Sequence, residues 1–459
     1  MATQIEHNSK WDSLKKYVEK KDKSTLNINE KMALFTHNHN KHYGLNNVVA
    51  EPHEQYGLFP ELFQVPFSTP LKTKFKFIDL FAGIGGFRVA LQSMGGECVY
   101  SSEWDENAQK TYFQNFGDVP FGDITKESTK QYIPDKFDIL CAGFPCQAFS
   151  KAGKQAGMND TRGTLFFDVE YIIKKHKPKY IFLENVRNLV SHDNGNTWKI
   201  ITENLHSLGY RLPQNPLILS PHQFGTPQFR ERVYILGVYD PSNRNIPLEI
   251  SLPALLGKDD NSIEKILEKG QVESKYYISK QEEKVLTAWD EFYHGIKEKT
   301  IGFPIWSSYF KNKENISAFP KWKQDFITKN RKLYKNNQEF IDSWLKKYNN
   351  LDDFTPTQKK FEWQAGESIS SIWNGIIQFR PSGIRVKKPN FFPALVAIVQ
   401  IPIIGKYKRR LTVRECARLQ SFPDEFIPAN NNHIAYKQLG NSVNINIIKL
   451  LLENLLSKY

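Results

Sequence analysis

Cys146 is the first residue of this sequence that suggests chemistry, because it stands in GFPCQAFS directly after the apolar stretch FDILCA. A short apolar run that ends at a glycine is typical of a buried strand, and α/β enzymes place their chemistry just beyond the carboxyl ends of strands. A thiol at that position is a candidate nucleophile when a neighbouring positive charge favours its thiolate. The competing interpretation is a buried structural cysteine, which we assign to Cys98 and Cys141 inside predicted strands.

A glycine-rich turn in FIDLFAGIGGFR predicts a ligand site upstream of that cysteine. Asp79 stands at the end of the predicted strand, and Gly83, Gly85 and Gly86 let the backbone approach a ligand at the start of the next helix. A dinucleotide fingerprint would have a third glycine where Arg88 stands. The turn therefore favours a ligand that carries a carboxylate, such as a methionine moiety, over a pyrophosphate.

Two acidic residues downstream fit the same ligand. Glu103 ends the second predicted strand, where an acid accepts hydrogen bonds from ribose hydroxyls. Asp123, in the segment GDIT, follows the second predicted helix and is a candidate partner for an adenine amino group. The glycine turn and the two acids, in this order, predict a binding site for a ligand that combines a methionine-like carboxylate with an adenine nucleoside.

Strands and helices alternate from Phe75 to about Tyr239. The predicted strands include FKFIDLF, ECVYSSEW, FDILCAG and KYIFLEN, and each is followed by a segment with helical patterning. This alternation predicts a doubly wound α/β domain with a largely parallel sheet, which would bring the ends of its strands, and the candidate residues on them, to one edge.

The sequence on either side of this core is less regular. Residues 1–74 show no strong period apart from a predicted short helix from Trp11 to about Glu19, and we treat them as an extension of unknown role. Residues 246–404 are rich in Lys, Asn and aromatic residues without a sustained period, whereas residues 405–459 return to helical patterning. The extension holds five of the 11 histidines, including His37, His39 and His42, and we interpret them as part of a polar loop rather than a metal site.

The charge of the chain points to a polyanionic partner. The net charge is +13 with a pI near 9.2, and residues 241–410 carry 29 Lys and Arg against 19 Asp and Glu. Nucleic acid is the usual partner of such a surface, although a solvated lysine-rich face is the plain alternative. The four cysteines form no CxxC pair, and the sequence has neither a signal peptide nor an apolar run long enough for a membrane span. We therefore expect a cytoplasmic protein that needs no metal.

Six segments closely resemble, in the same order, the motifs of DNA cytosine-5 methyltransferases: DLFAGIGGFR, GFPCQ, FLENV, PQFRERVYILG, RECARLQSFPD and QLGNSV. The similarity covers roughly residues 75–240 and 405–459. It implies a Rossmann-like, S-adenosylmethionine-dependent core with a mixed, mostly parallel sheet over residues 75–245, completed by residues 405–459. Residues 246–404 would then form a smaller target-recognition domain.

The resemblance implies a role for each catalytic residue. Cys146 matches the nucleophile that adds to carbon 6 of a flipped-out cytosine, and Glu184 matches the acid that contacts ring nitrogen 3 and the exocyclic amine. Arg230 and Arg232 match the pair near the thiol and the base carbonyl. Addition of the thiolate makes an enamine whose carbon 5 attacks the sulfonium methyl, and loss of the carbon 5 proton then expels Cys146.

The resemblance also implies residues that contact the donor, with Phe81 and Trp104 on either side of its adenine. Together with the residues read from the turn and the two acids, the expected donor site comprises Asp79, Phe81, Gly83, Gly85, Gly86, Glu103, Trp104, Asp123, Ile124, Pro145, Asn441 and Ser442.

Double-stranded DNA is the expected partner. Residues 149–163 resemble the loop of the family that closes over DNA, and we expect phosphate contacts there from Lys151, Lys154 and Arg162. In QFRPSGIRVKK, Arg380 and Arg385 are candidates for guanine edges or phosphate. By family analogy, the enzyme would be the monomeric modification partner of a restriction endonuclease that it need not touch.

Two alternatives remain open on the sequence. A tRNA cytosine-5 methyltransferase shares the same catalytic residues on the same scaffold, although the large basic insert favours duplex DNA. A DNA-binding relative without activity is the other, against which the intact Cys146 and Glu184 argue. An adenine methyltransferase is disfavoured, because neither Asp-Pro-Pro nor Asn-Pro-Pro followed by an aromatic residue occurs.

Overall fold

The computed structural model of this protein describes residues 2–43, 64–145, 165–257, 261–297, 301–395 and 400–459. Four residues singled out above lie outside these ranges: Cys146, Lys151, Lys154 and Arg162. The chain divides into two compact units. The first consists of residues 1–226, 230–256 and 417–459, and the second of residues 227–229 and 257–416.

Strands and helices are numbered in chain order through both units. The described strands are β1 (Phe75–Leu80), β2 (Gly96–Ser102), β3 (Ile139–Ala142), β4 (Tyr180–Val186), β5 (Tyr210–Arg211), β6 (Leu217–Leu219), β7 (Gln228–Phe229), β8 (Arg232–Tyr239), β9 (Ile305–Trp306), β10 (Lys360–Trp363), β11 (Ile376–Arg380), β12 (Gly383–Lys387), β13 (Phe392–Pro393), β14 (Ile403–Ile404) and β15 (Arg409–Arg410). The described α-helices are α1 (Ala2–Lys21), α2 (Ile28–Tyr43), α3 (Gly86–Ser93), α4 (Glu106–Phe116), α5 (Glu127–Lys130), α6 (Leu165–His176), α7 (Asn196–Ser207), α8 (Lys280–Gly295), α9 (Lys321–Asn336), α10 (Gln338–Lys347), α11 (Val413–Leu419), α12 (Asn432–Asn441) and α13 (Ile445–Lys458).

The sheet of the first unit has the order β2-β1-β3-β4-β8-β5, with β6 also paired to β8. Strands β2, β1, β3 and β4 are parallel, and β8 runs antiparallel to β4, β5 and β6. Among the described strands of this sheet, therefore, β8 alone runs against the others. The α/β class with a mixed, mostly parallel sheet is as predicted. Because β1 lies between β2 and β3, the chain order reverses there, and ligands of open α/β sheets bind at the strand ends beside such a reversal.

The central strands are buried on both faces, which explains their nearly continuous apolar sequences. Alternate residues point to opposite faces, so Ile78 and Leu80 of β1 share a core with residues of α6 and α7 such as Val169 and Ile201. On another strand, the ring of Phe182 meets Phe87 of α3 edge to face, with the centroids 5.4 Å apart. Packing of these helices against the sheet thereby holds the strands, and the ends of the strands, in place.

The expectation of a polar loop in the N-terminal extension was wrong. Helix α1 extends well beyond the predicted short helix, and a second helix, α2, contains His37, His39 and His42. Five apolar residues of the two helices are buried in the core of the first unit: Trp11, Leu14, Val18, Met32 and Ala33. Tertiary packing of one face stabilises helices whose sequence shows little period.

The second unit also has more regular structure than its sequence suggested. It contains α8, α9 and α10 and a sheet of order β15-β14-β11-β12-β10-β9. Its core is aromatic, with Trp289 stacked on Phe361 at 5.0 Å and in contact with Trp344 at 5.4 Å. Helix α8 buries Val285, Leu286, Trp289, Phe292 and Tyr293 on one stripe, a period that the surrounding Lys and Glu residues obscure.

Within the described ranges, no helix is both long and apolar enough to cross a membrane. The same residues contain no group of three or more His, Cys, Asp or Glu side chains that would suit a metal ion.

Candidate active site

A cavity of about 580 Å³ opens at the carboxyl ends of β1, β2, β3 and β4 in the first unit. It brings together residues that are far apart in the sequence. The sequence-predicted residues that line it are Phe81, Gly83, Gly86, Glu103, Trp104, Pro145, Glu184, Arg230, Arg232, Asn441 and Ser442.

The three glycines of the turn after β1 have different roles. Gly83 has φ +55° and open space where a Cβ would stand, so its backbone faces the cavity without obstruction. A Cβ on Gly85, at φ +85°, would lie 2.2 Å from the Phe116 ring, and one on Gly86 would lie 2.7 Å from the Ser442 hydroxyl. Only the first position leaves the backbone open toward the cavity, whereas the other two allow the turn to pack against α4 and the segment after α12.

Glu103 connects the turn to the end of β2. Its carboxylate accepts hydrogen bonds from the backbone N–H of Gly83 at 2.8 Å and from that of Asp105 at 2.8 Å. The side chain is 8% exposed, and burial raises the pKa of its carboxyl group despite these two donors. An acid anchored in this way presents a fixed acceptor at the rim of the cavity.

Two aromatic side chains line the same part of the cavity. Phe81 adopts the left-handed backbone region at φ 55°, which is unusual for a residue other than glycine. Trp104, directly after Glu103, is 78% exposed. A large exposed indole beside a cavity provides an apolar face for a flat ring.

Asp79 and Arg88 lie beneath this surface, outside the cavity lining. Burial raises the pKa of Asp79 to about 8, an effect that the positive charge of Arg88 partly offsets. Arg88 is 1% exposed, lies 2.6 Å from Asp118 and places its guanidinium over the Phe116 ring. The arginine that replaces the third glycine of a dinucleotide fingerprint therefore points into the core and supports α3 from within.

Glu184, Arg230 and Arg232 form a charged group at the other side of the cavity. Oε1 of Glu184 lies 3.1 Å from Nε of Arg232, and burial raises the pKa of Glu184, offset first by Arg232 and then by Arg230. The guanidinium of Arg230 is 3% exposed and donates to the carbonyls of Gly440 and Ser442, each at 2.8 Å. Burial and the charge of Arg232 lower the pKa of Arg230 to about 9, so it remains a cation at neutral pH.

The loop that leads to Cys146 is held by a residue that the sequence reasoning missed. Asn185 of β4 is buried, and its side-chain amide donates to the carbonyl of Phe144 at 2.9 Å. Pro145, immediately before Cys146, lines the cavity. The motif FLENV contained the signal, because Asn185 directly follows the predicted acid Glu184.

Other missed residues come from α12, which adjoins α4 at the cavity. Gln438 accepts a hydrogen bond from Thr111 at 3.1 Å and donates to the carbonyl of Asn107 at 3.0 Å. Lys437 lies 3.7 Å from Asp105. Gln438 belongs to the QLGNSV motif, and Lys437 directly precedes it. Both residues are more than 300 positions from α4 in the sequence, so the sequence did not predict that they contact this helix or its N-cap.

Some predicted donor residues are not brought to the cavity. Asp123 accepts hydrogen bonds from the backbone and hydroxyl of Thr125, at 3.0 and 2.8 Å, and Ile124 is buried. Neither residue is among the described residues that line the cavity, and Asp79 and Gly85 support it from beneath. For Asp123 and Ile124, donor contact stays a prediction.

In the second unit, Arg380 and Arg385 are brought together by an acid. Nη2 of Arg380 donates to Glu362 at 2.7 Å, and Nε of Arg385 donates to the same carboxylate at 3.0 Å. In the sheet, Glu362 on β10 pairs with Arg385 on β12, which pairs with Gln378 on β11. These side chains therefore share the face of the sheet opposite Phe361 and Ile384 of the core.

Comparison with known proteins places this arrangement in context. Residues 75–457 match the family described as C-5 cytosine-specific DNA methylase. The chain is 41% identical over 415 residues to Type II methyltransferase M.HpaII of Haemophilus parainfluenzae, which covers 90% of this chain and 97% of the relative. It is 32% identical over 476 residues to Type II methyltransferase M.AluI of Cellulosimicrobium cellulans (83% and 91%), and 33% over 387 residues to Type II methyltransferase M.HhaI of Haemophilus parahaemolyticus (83% and 94%). The matched family range begins at β1 and leaves α1 and α2 outside it.

Proposed function

Because this chain belongs to the C-5 cytosine-specific DNA methylase family, we propose that it methylates one cytosine in a short, specific duplex sequence as the modification enzyme of a restriction–modification system. The reaction itself, transfer of a methyl group to carbon 5 of cytosine in DNA, follows from membership of the family. The residues assigned to each step and the biological setting are the proposal. The observation that supports it most directly is a single cavity lined by both Glu103 and Glu184.

The donor side of the cavity fits S-adenosylmethionine. Glu103 offers a fixed carboxylate for hydroxyl groups, Phe81 and Trp104 offer apolar faces for the adenine, and the open side of Gly83 leaves room for the methionine part. The chemistry that the bound donor supplies is an electrophilic methyl group on a sulfonium. We assign its binding to the described lining residues, with Asn441 and Ser442 completing the wall.

Glu184 is the proposed acid for the cytosine ring. Burial raises the pKa of Glu184, which favours a proton on its carboxyl group, and Arg232 holds one of its oxygens in place. A protonated carboxyl can donate to ring nitrogen 3 and draw electrons from the ring as a nucleophile adds at carbon 6. The other oxygen remains available as an acceptor for the exocyclic amine.

Cys146 is the proposed nucleophile. Its thiolate would form the bond from sulfur to carbon 6, and loss of the carbon 5 proton would later release it. Arg230 contributes a positive charge that two backbone carbonyls hold in place, and such a charge near a thiol lowers the pKa of the thiol. Asn185 fixes the backbone just before Cys146, so we assign it to positioning.

Sequence recognition is assigned to the second unit, and base flipping is required because a stacked cytosine is not accessible. Arg380 and Arg385 present guanidinium groups on one face of the sheet, held by Glu362. Guanidinium groups recognise guanine edges and phosphate. For the modification role we further propose that the protein acts as a monomer. It would recognise the same DNA sequence as a restriction endonuclease without binding that endonuclease stably.

The test is methylation of duplex DNA with labelled S-adenosylmethionine, followed by bisulfite mapping of the product. Wild type should methylate carbon 5 of one cytosine in a recurring short sequence, and Cys146→Ser should not. A matched control is Cys98→Ser, since Cys98 lies on β2 away from the cavity lining. Label in tRNA instead of DNA would contradict the proposal, as would full activity in Cys146→Ser.

A further inference from the structure

The N-terminal helices α1 and α2, here called the hairpin, pack into the first unit although the family match begins only at residue 75. Trp11, Leu14 and Val18 of α1 share one hydrophobic core with Ile78 and Leu80 of β1. The ring of Trp11 meets Phe113 of α4 edge to face, at 6.1 Å between centroids. The hairpin therefore packs against α4 and shares a hydrophobic core with β1, and the ends of both elements lie at the cavity.

Polar contacts join α2 to the segment 117–121 that follows α4. The buried hydroxyl of Thr36 accepts a hydrogen bond from the backbone N–H of Val119 at 3.1 Å. The side-chain amide of Asn40 donates to the carboxylate of Asp118 and lies 3.5 Å from the carbonyl of Gly117. Two side chains of the hairpin thus fix the backbone and the one acid of this segment.

From that segment, one route leads to the glycine turn. Asp118 lies 2.6 Å from the guanidinium of Arg88, which is 1% exposed. Arg88 belongs to α3, the helix that begins directly after the turn. The guanidinium of Arg88 also lies over the Phe116 ring, and Gly85 of the turn packs against the same ring. Asn40 therefore orients Asp118, and Asp118 in turn holds Arg88 in the helix that follows the glycine turn.

A second route leads to Glu103. The carbonyl of Phe121 accepts the backbone N–H of Glu103 at 2.8 Å, and the N–H of Phe121 donates to the carbonyl of Ser101 at 2.9 Å. Val119, the partner of Thr36, stands two residues before Phe121. The rings of His37 and Phe121 lie 5.9 Å apart. The hairpin thus contacts residues 119–121, and Phe121 of this segment holds the backbone of Glu103 by a hydrogen bond.

We propose that the hairpin is a positioning element of the donor site, and that Asn40 and Thr36 act through Asp118–Arg88 and through residues 119–121. The inference rests on the proposed assignment of this cavity to the donor. Both routes end at residues on the donor side, the glycine turn and Glu103. Loss of either contact should weaken donor binding and leave the chemistry on the cytosine unchanged.

The experiment measures binding of S-adenosylhomocysteine to the full chain by titration calorimetry, together with melting temperature and steady-state kinetics. Asn40→Ala should raise the dissociation constant about 3- to 10-fold, the range expected when one link of a packed network is removed. Thr36→Val should act in the same direction, and Thr36→Ser, which keeps the hydroxyl, should restore binding. Asn38→Ala is the matched control, because Asn38 is an exposed asparagine of the same helix.

The kinetic pattern separates positioning from general destabilisation. In Asn40→Ala, the KM for the donor should rise while kcat and the KM for DNA stay near wild type. A lower melting temperature with unchanged S-adenosylhomocysteine affinity would overturn the inference, and so would equal losses for donor and DNA. If the wild type itself did not bind S-adenosylhomocysteine, the donor assignment of the cavity would fail instead.

Discussion

The two units of this protein bury charge in different ways. In the second unit, Arg409 and Glu415 are buried but satisfy each other through two hydrogen bonds of 2.8 and 2.7 Å. In the first unit, Glu184 is buried beside a cavity, has one ion pair to Arg232, and has a raised pKa. A buried charge with a complete partner supports structure, whereas one left with a perturbed pKa at a cavity is suited to chemistry.

The largest expected effect is on catalysis. Glu184→Gln removes the ionisable group but preserves the shape of the side chain, so kcat should fall about 10²- to 10⁴-fold, the contribution typical of a positioned acid or base. Single-turnover methylation of the mapped target measures it. The melting temperature should change little, because Arg232, which loses its charged partner, is 17% exposed and remains in contact with water. Wild-type kcat would remove Glu184 from the mechanism.

The same substitution in the second unit should affect stability instead. Glu415→Gln leaves the buried guanidinium of Arg409 without its charged partner, which costs about 3–5 kcal/mol when a buried pair is broken. Chemical denaturation with a fluorescence readout should show an earlier transition. The affinity for S-adenosylhomocysteine, which concerns the first unit, should persist below that transition. If Glu415→Gln left stability unchanged, the contrast between the two buried acids would not hold.

Asp79 predicts a dependence of stability on pH. Its pKa is raised to about 8 in the folded state, so between its ordinary pKa and about 8 the folded state holds a proton that the unfolded state has lost. Stability from this group is therefore greatest at low pH and decreases as the pH rises through this window, by about 1 kcal/mol per pH unit.

Asp79→Asn should remove this slope, because an amide does not titrate. Melting temperatures of wild type and Asp79→Asn, measured from pH 5 to 8, should diverge as the pH rises, with the variant more stable at the upper end. Parallel curves for the two proteins would show that Asp79 is charged in the folded state.

The smallest expected effect concerns Glu362. Its partly exposed side chain holds Arg380 and Arg385 in one orientation, and such pairs contribute about 1 kcal/mol or less. Glu362→Gln should lower the ratio of kcat/KM for the target over a one-base variant about 2- to 5-fold. It should also tighten non-specific DNA binding, since it removes a negative charge beside two cations. Glu273→Gln, at an exposed acid of the same unit, serves as the control.

Many of the residues that line the cavity could be grouped from the sequence because they follow strand ends, and strand ends of a parallel sheet meet at one edge. The alternation of elements predicted the α/β core, and the glycine-rich turn predicted a backbone that is open toward the cavity, which the structure shows at Gly83. Helices α8 to α10 were missed because their apolar stripes, such as Val285, Trp289 and Phe292 in α8, are short and are separated by charged and polar residues. Local patterns identify an element only when its buried face is long enough to stand out.

The amino-acid sequence by itself determined the kind of chemistry, because a cysteine, an acid and two arginines occur in a characteristic order. It also determined a turn in which glycines leave the backbone uncovered by side chains. Only the tertiary structure decided that Arg88 points into the core, that Asn185 holds the backbone of Phe144, and that α1 packs against α4. The physical reason is that these depend on contacts between residues distant in the chain. Burial and neighbouring charge, which shift the pKa of Asp79 and Glu184, exist only after the chain has folded.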